Sequence, residues 1–446
     1  MATAVIQPAA KTRAPYTRCM RRLVLGWLLV LPLTFFAVHG NFSFVSSGNN
    51  TLATGSLSGL ASSGRHAGFL GNIVIPGVAY SIVVWLLLIN GKRVVAQALQ
   101  MKMLTLLALF TICSALWSQD PFRSAYNGAF YLIETLFAFY LVLKLDPEEI
   151  LSVIMMTGVS ISLLSVITVL LLPQVGVNQS ARDGVAWIGV FTDRTSTGKC
   201  MLYLLSPAII FRRRSFNYRH MIYILLMSTM VFMAHAATAR IILLLYVALM
   251  ASMSISRKFG RRSSLLIVGM LLAVGTMIAL VGFQFLPQVL GALGRNATLS
   301  GRTEIWDLVL GSIAKRPLLG YGYYAFWQGL RGESANIILG AHWMFGYAHN
   351  GVLEICLQLG LVGTALFFIT LIQAIGNAWI CLRNGCPPGV QWYIGVIALT
   401  IVYNIDESTV LWPIDLVSIM YVVACYGLAM EVRQVKLERK IEALNI

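Results

Sequence analysis

Residues 150–173 read ILSVIMMTGVSISLLSVITVLLLP, an apolar run without a charged side chain. A helix needs about 20 such residues to cross the hydrocarbon layer of a bilayer. Working outward from this run, comparable stretches fall near residues 23–39, 68–90, 101–117, 125–145, 198–211, 221–237, 240–256, 264–286, 350–381, 389–404 and 412–430. Together they make about twelve passes. The run at 198–211 is short enough to allow an earlier start. The pair 221–256 is nearly continuous, broken only by a turn at Ala236–Arg240. The fold class is therefore an all-α polytopic membrane protein.

Composition agrees. Of 446 residues, 58% are hydrophobic and only 11% charged, with mean hydropathy +0.77. An ordinary soluble domain carries roughly a quarter charged residues, and a disordered chain has low hydrophobicity. The net charge of +16 raises nucleic acid as a partner, but the basic residues sit in short clusters between apolar runs, as membrane topology requires. With the N-terminus cytoplasmic, alternation puts 22 of the 33 basic residues on that side. They include Lys92, Arg93, Lys102, Lys144, Arg212–Arg214, Arg257, Lys258, Arg383 and the basic tail. Both ends are then expected inside. Arg18, Arg21 and Arg22 before the first run look like a signal peptide, but no A-x-A site follows, so an uncleaved first helix is expected. The seven cysteines (Cys19, Cys113, Cys200, Cys356, Cys381, Cys386, Cys425) form no C-x-x-C pair. They read as small buried hydrophobes.

The organisation is a tail (1–22), nine spans (23–286), a long outer loop (287–348), three spans (349–430) and a tail (431–446). Outer segment 40–67 is rich in Gly, Ser and Asn; segment 174–197 holds Arg182, Asp183, Asp193 and Arg194. In the long loop, Ile305, Leu308, Val309 and Ile313 recur at helical spacing over Thr303–Lys315. Ser300 or Gly301 stands at the N-cap position and Pro317 at the stop. A Gly/aromatic stretch, Leu319 to Trp327, follows. No internal repeat is evident, against an inverted-repeat transporter.

Four outward residues are candidates for chemistry. Arg240 opens a span and reads either as a functional charge or as a snorkelling interface residue. Arg302, at a helix start, reads as part of an anion site or as a partner of Glu304. His349, where the long loop re-enters the membrane, reads as a general base or an interface histidine. Arg194 reads as a further cation or a partner of Asp193. A metal site lacks support: Asp406-Glu407 is the one adjacent acid pair on that side, no D-x-D occurs, and His39, His66, His235 and His342 show no ligand spacing. Walker, G-x-G-x-x-G and G-x-S-x-G patterns are absent. The N-x-[ST] matches at Asn41, Asn50, Asn178 and Asn296 carry no weight. Arginines bind phosphate bidentately, so the pattern suits transfer from a lipid diphosphate onto an alcohol.

Gly301-Arg-Thr-Glu-Ile-Trp306, Arg316-Pro-Leu-Leu-Gly-Tyr-Gly-Tyr323 and Ala348-His-Asn-Gly-Val-Leu-Glu-Ile355 with Leu359-Gly-Leu-Val-Gly363 resemble the O-antigen ligase and Wzy-type polymerase superfamily. Leu116-Trp-Ser-Gln-Asp-Pro121 and Gly189-Val-Phe-Thr-Asp-Arg-Thr-Ser-Thr-Gly198 resemble its exopolysaccharide-polymerase branch. The family's R-x-x-x-L motif matches Arg240 to Leu244, and its H-(ten residues)-G motif matches His349 and Gly360. The family's loop arginine matches Arg302. The resemblance implies a GT-C-like helical fold in the bacterial inner membrane. It implies glycan transfer from undecaprenyl diphosphate at the periplasmic face, without cofactor or metal. It implies polymerase in preference to ligase, with a chain-length-regulating co-polymerase and a flippase as possible partners. In that reading Arg240 and Arg302 hold the departing diphosphate, His349 deprotonates the acceptor hydroxyl, and Arg194 assists. Tyr321, Tyr323 and Trp327 stack on sugar rings or simply pack. Glu354, about 140° round the helix from His349, is not expected to partner it. The competing class is a transporter of lipid-linked glycans. That class needs functional charge at midplane, whereas charged residues here largely avoid span centres.

Overall fold

The computed structural model describes residues 15–38, 74–180, 184–210, 218–256, 302–341, 346–385 and 387–444. The expected span 264–286, the segment 40–67, Arg182 and Asp183, and the N-cap of the loop helix lie outside them. In chain order the helices are α1 (Pro15–Val38), α2 (Ile75–Gln100), α3 (Lys102–Cys113), α4 (Pro121–Lys144) and α5 (Pro147–Leu171). After them come the short α6 (Pro173–Gly176), α7 (Arg194–Ile210), α8 (Tyr218–Met233) and α9 (Ala237–Ser256). The rest are α10 (Arg302–Lys315), α11 (Gly332–Ala341), α12 (Gly351–Asn384), α13 (Pro388–Asp406) and α14 (Leu416–Leu444). Among the described residues, seven helices are long and apolar enough to cross a membrane: α2, α4, α5, α9, α12, α13 and α14. Shorter apolar helices lie at Gly26–Val38, Lys102–Leu116 and Tyr218–Met233.

Local chemistry sets the helix ends. Asp120 caps α4 by accepting from Arg123 N at 3.1 Å, with Pro121 at the first turn. Asn350 caps α12, its Oδ1 accepting from Val352 N and Leu353 N at 3.0 Å. The short run at 198–211 does begin earlier, at Arg194, and its helix is buried along nearly its whole length. Gly198 makes that possible: a Cβ there would stand 2.7 Å from Cβ of Ala236 and 2.8 Å from Cβ of Ala239. The start of α7 thus presses on the start of α9. The tight turn expected at Ala236–Arg240 falls earlier, at Ala234–Ala236, because α9 resumes at Ala237 and takes Arg240 into its first turns.

The core gathers α7 and α14 at the centre, with α1, α4, α5, α9, α12 and α13 packed around them. Segment 174–197 holds a feature the sequence did not suggest, a two-stranded antiparallel hairpin, β1 (Val177–Ser180) against β2 (Gly184–Trp187), pairing Val177 with Trp187. Glu134 is an exception to the general avoidance of span centres by charged residues: it lies mid-way along α4 and is fully buried. Its Oε1 accepts from Tyr80 Oη and from Ile414 N, both at 2.8 Å.

That last bond shows how deep the α13–α14 connection runs. Glu134 stands about 20 Å along α4 from Pro121 at 1.5 Å per residue, and Ile414 reaches it. Non-helical backbone at membrane depth survives only where protein groups satisfy it. Here Asn404 Oδ1 accepts from Thr409 N (3.0 Å) and Val410 N (3.2 Å), and Ser418 Oγ accepts from Trp412 N at 3.0 Å. Leu411 and Ile414 take positive φ, 57° and 56°, a strain that persists only because these contacts over-determine the loop.

Candidate functional site

The starts of α7, α9, α10 and α12 meet the C-terminal end of α13. Arg302, first residue of α10, puts Nη1 on the Asp406 side chain and on the Asp406 carbonyl, and Nη2 on Glu407 Oε1 at 2.9 Å. The carbonyls at the end of a helix carry partial negative charge, so this guanidinium both pairs two carboxylates and caps α13. Glu304 is not its partner. Thr238 Oγ1, on α9, donates to the other Asp406 oxygen at 2.6 Å. Glu407 Oε2 faces His349 Nδ1 at 3.6 Å. One carboxylate therefore stands between the arginine and the histidine.

Burial alone would push the Glu407 carboxyl up. The nearby His349 imidazole, with Arg302 and Lys199, outweighs it and holds the group below its ordinary value. The Tyr347 ring lies tilted against His349, with ring centroids 4.1 Å apart and planes at 44°. Its phenol is pushed well up by burial and by the charges of Glu407 and Asp193. Asp193 caps α7 instead of serving only Arg194: it accepts from Ser196 N at 2.8 Å and Ser196 Oγ at 2.7 Å.

His349 sits at φ 50°, a left-handed conformation uncommon for residues with a side chain. The peptide before it is clamped from both sides. Ala348 N donates to Glu354 Oε2 at 2.7 Å, and Trp306 Nε1 donates to Ala348 O at 3.0 Å. Through these bonds Glu354 fixes the backbone on which His349 stands. Glu354 also accepts from Trp327 Nε1 and Gln358 Nε2.

The glycine of the histidine motif has a different task. Gly360 interrupts α12 with φ 64° and ψ −167°. The break frees Leu361 N to reach Pro317 O (2.8 Å) and Val362 N to reach Leu318 O (3.2 Å). Just above it Leu357 O and Gln358 O accept from Tyr321 N and Gly322 N, both at 2.9 Å. The other side of segment 317–327 is held by the Trp-Ser-Gln-Asp-Pro motif. Trp117 Nε1 donates to Leu319 O (2.8 Å), Gln119 N to Tyr321 O (3.0 Å) and Gln119 Nε2 to Ala325 O (2.7 Å). Arg123 Nη1 donates to Trp327 O at 3.1 Å. Two motifs far apart in sequence are thus one clasp.

That clasp corrects the sugar-stacking expectation for two rings. Tyr321 and Tyr323 are buried, their hydroxyls donating to Ser312 O and Leu411 O. Their faces are spent on packing; Trp327 is half-buried. Arg240 lies two residues from Thr238, but its guanidinium donates to Phe232 O and covers the Phe232 ring at 5.9 Å.

Residues 222–368 match the Wzy_C family profile, described as O-antigen ligase. Over this segment the chain is similar to the O-antigen ligase family. The matched stretch contains Arg240, Arg302, His349, Glu354 and Gly360. The chain is also 31% identical over 130 residues to the "Exopolysaccharide production protein ExoQ" of Rhizobium meliloti (strain 1021). That alignment covers 28% of this chain and 30% of the relative's length. Asp406, Glu407 and Asp193 lie outside the O-antigen ligase segment, although the fold brings Asp406 and Glu407 onto its arginine and histidine. Sequence reasoning considered Asp406-Glu407 only as a metal site. The usable signal was an adjacent acid pair at the outer end of a span, on a side poor in acids.

Proposed function

We propose that this protein is a polysaccharide polymerase. It transfers a growing glycan from undecaprenyl diphosphate onto the sugar end of another lipid-linked repeat, at the periplasmic face of the bacterial inner membrane. The observation that carries this reading is Glu407 standing between Arg302 and His349. Its wider support is the family match and a relative named for exopolysaccharide production.

In this mechanism the acceptor hydroxyl oxygen bonds to the donor sugar C1 as the C1–O bond to the diphosphate breaks, and the electron pair leaves on the diphosphate. With Nδ1 turned to Glu407, Nε2 of His349 is the nitrogen that takes the hydroxyl proton. Glu407 stabilises the imidazolium that forms. Arg302 exchanges Asp406 for a diphosphate oxygen while keeping Glu407, and Asp406 keeps Thr238. Arg240 and Arg194 add positive charge where negative charge develops. The displacement is direct, so the anomeric carbon inverts, and no metal takes part. Trp327 is the remaining ring for sugar contact. The chain crosses the membrane about twelve times in a GT-C-like fold, both termini cytoplasmic. A co-polymerase sets chain length and a flippase supplies the substrate.

A ligase is the second reading, favoured by the match to an O-antigen ligase family. The test is the size distribution of cell-surface glycan in strains carrying His349→Ala or Arg302→Ala, after insertion of each protein is verified. Single repeats left on lipid at the outer face support polymerisation. Long chains that never reach a final acceptor support ligation. Repeats held on the cytoplasmic side, or an unchanged profile, would overturn the proposed site.

A further inference from the structure

On the side of the membrane opposite His349, α3, α12 and α14 leave a cavity of about 360 Å³ between them. Volumes of this size accept small organic ligands. Arg433 and Lys436 on α14 line its outer edge, and both are exposed. Arg433 also donates to Gln100. Leu104 of α3 and Ala429 of α14 belong to its apolar part.

The wall from α12 is unusual. Gln373 and Asn377 line the cavity, four residues apart and so on one helix face. Neither amide hydrogen-bonds another described residue. An amide without a partner inside a membrane is costly, and these two, Gln373 exposed and Asn377 half-buried, line the same cavity. Arg439 donates to Asn384, which sets the levels of the two helices. Asn377 therefore lies near the depth of Arg433, and Gln373 about 6 Å deeper. The acids on α14, Glu431 and Glu438, are each two residues from a basic side chain of the cavity. They are turned about 200° away round the helix.

We propose that this cavity binds an anionic diacyl phospholipid of that leaflet. Its phosphate lies between Arg433 and Lys436, its ester carbonyls accept from the Asn377 and Gln373 amides, and one acyl chain enters the apolar part. The argument is charge complementarity at the level of lipid phosphates, joined to two amide donors at the level of the esters. The site is separate from the proposed transfer reaction and does not depend on it.

The test is native mass spectrometry of the full chain, reconstituted in mixed phosphatidylglycerol and phosphatidylethanolamine vesicles and released in mild detergent. The expected result is phosphatidylglycerol retained selectively by the wild type. Retention falls about tenfold, or roughly 1.4 kcal/mol, in Arg433→Gln/Lys436→Gln. It also falls in Gln373→Leu/Asn377→Leu, which removes the donors without adding charge and retains the wild-type melting temperature. Lys92→Gln/Arg93→Gln, in exposed positions on α2 outside the cavity, leaves retention unchanged. No retained phospholipid, equal retention of both headgroups, full retention by Arg433→Gln/Lys436→Gln, or a retained polyprenyl phosphate instead would overturn the proposal.

Discussion

Replacing Gly360 by alanine tests how the candidate site is held together. At φ 64° and ψ −167° this residue occupies a region that is essentially glycine-only, costing other residues about 1–3 kcal/mol. A Cβ there would stand 2.3 Å from both C and O of Leu318 and 2.5 Å from Leu319 N. These are backbone atoms of a segment bonded on both flanks, so they cannot swing aside as a side-chain tip would. Overpacking adds about 1–3 kcal/mol. Loss of the bonds from Leu361 N and Val362 N to the Pro317 and Leu318 carbonyls adds about 1 kcal/mol each. The sum, about 4–8 kcal/mol, is comparable to the whole stability of an ordinary domain. The assay is thermal unfolding of the purified protein in detergent beside Gly91→Ala. Gly91 lies inside α2 with nothing within 4 Å of a Cβ, so alanine there should stabilise by up to about 1 kcal/mol. If Gly360→Ala melts with the wild type, the clasp between α12 and segment 317–327 does not have the rigidity argued for it.

Three other perturbations separate parts of the site. Glu407 is held below its ordinary value of 4.5, so its contribution to stability is complete above that pH and is lost as pH falls through the lower folded value. Melting curves of wild type and Glu407→Gln from about pH 6 to about pH 3 should therefore differ at the upper end and converge at the lower; a constant gap contradicts the ion-pair origin. Asn404→Ala strips two buried N–H groups, Thr409 and Val410, of their acceptor and should destabilise by about 2–5 kcal/mol, read as a lowered melting temperature. Trp306→Phe removes the donor to Ala348 O while keeping an aromatic body. It should lower transfer activity about tenfold with little change in melting temperature, and equal loss of both would show that Trp306 matters only for packing.

Much of the fold was legible because a bilayer imposes one demand on sequence. Spans must be long, apolar and helical, and composition records that directly. The helix at Arg302–Lys315 was legible for a similar reason, since its apolar positions 305 and 309 are the ones buried against segment 317–327. Arg302 and His349 were singled out by residue type and place in the chain, and the fold brings them to one carboxylate. The aromatic stretch stayed open between stacking and packing: glycine and tyrosine together advertise a shaped surface, but not whether its rings face a ligand or the core. Trp117 to Pro121 and Gly360 were visible as motifs without a visible task, because the bonds that define their task reach across the chain, 202 positions from Trp117 to Leu319 and 44 from Leu361 to Pro317.

By itself the sequence determined that this chain lives in a membrane, that its helices end where charge and proline gather, and which outward cations and histidine could meet a diphosphate and an alcohol. Those properties follow from residue type and from spacing along one helix. Only the tertiary structure decided that Asp406 and Glu407 belong to Arg302 and His349, and that Glu134 anchors a strained loop at membrane depth. It also decided that Tyr321 and Tyr323 are core, and that Gln373 and Asn377 face a cavity. Each is a matter of which distant backbone and side-chain groups satisfy one another away from water. Many sequences share the same apolar pattern, and pairing across the bundle selects among them.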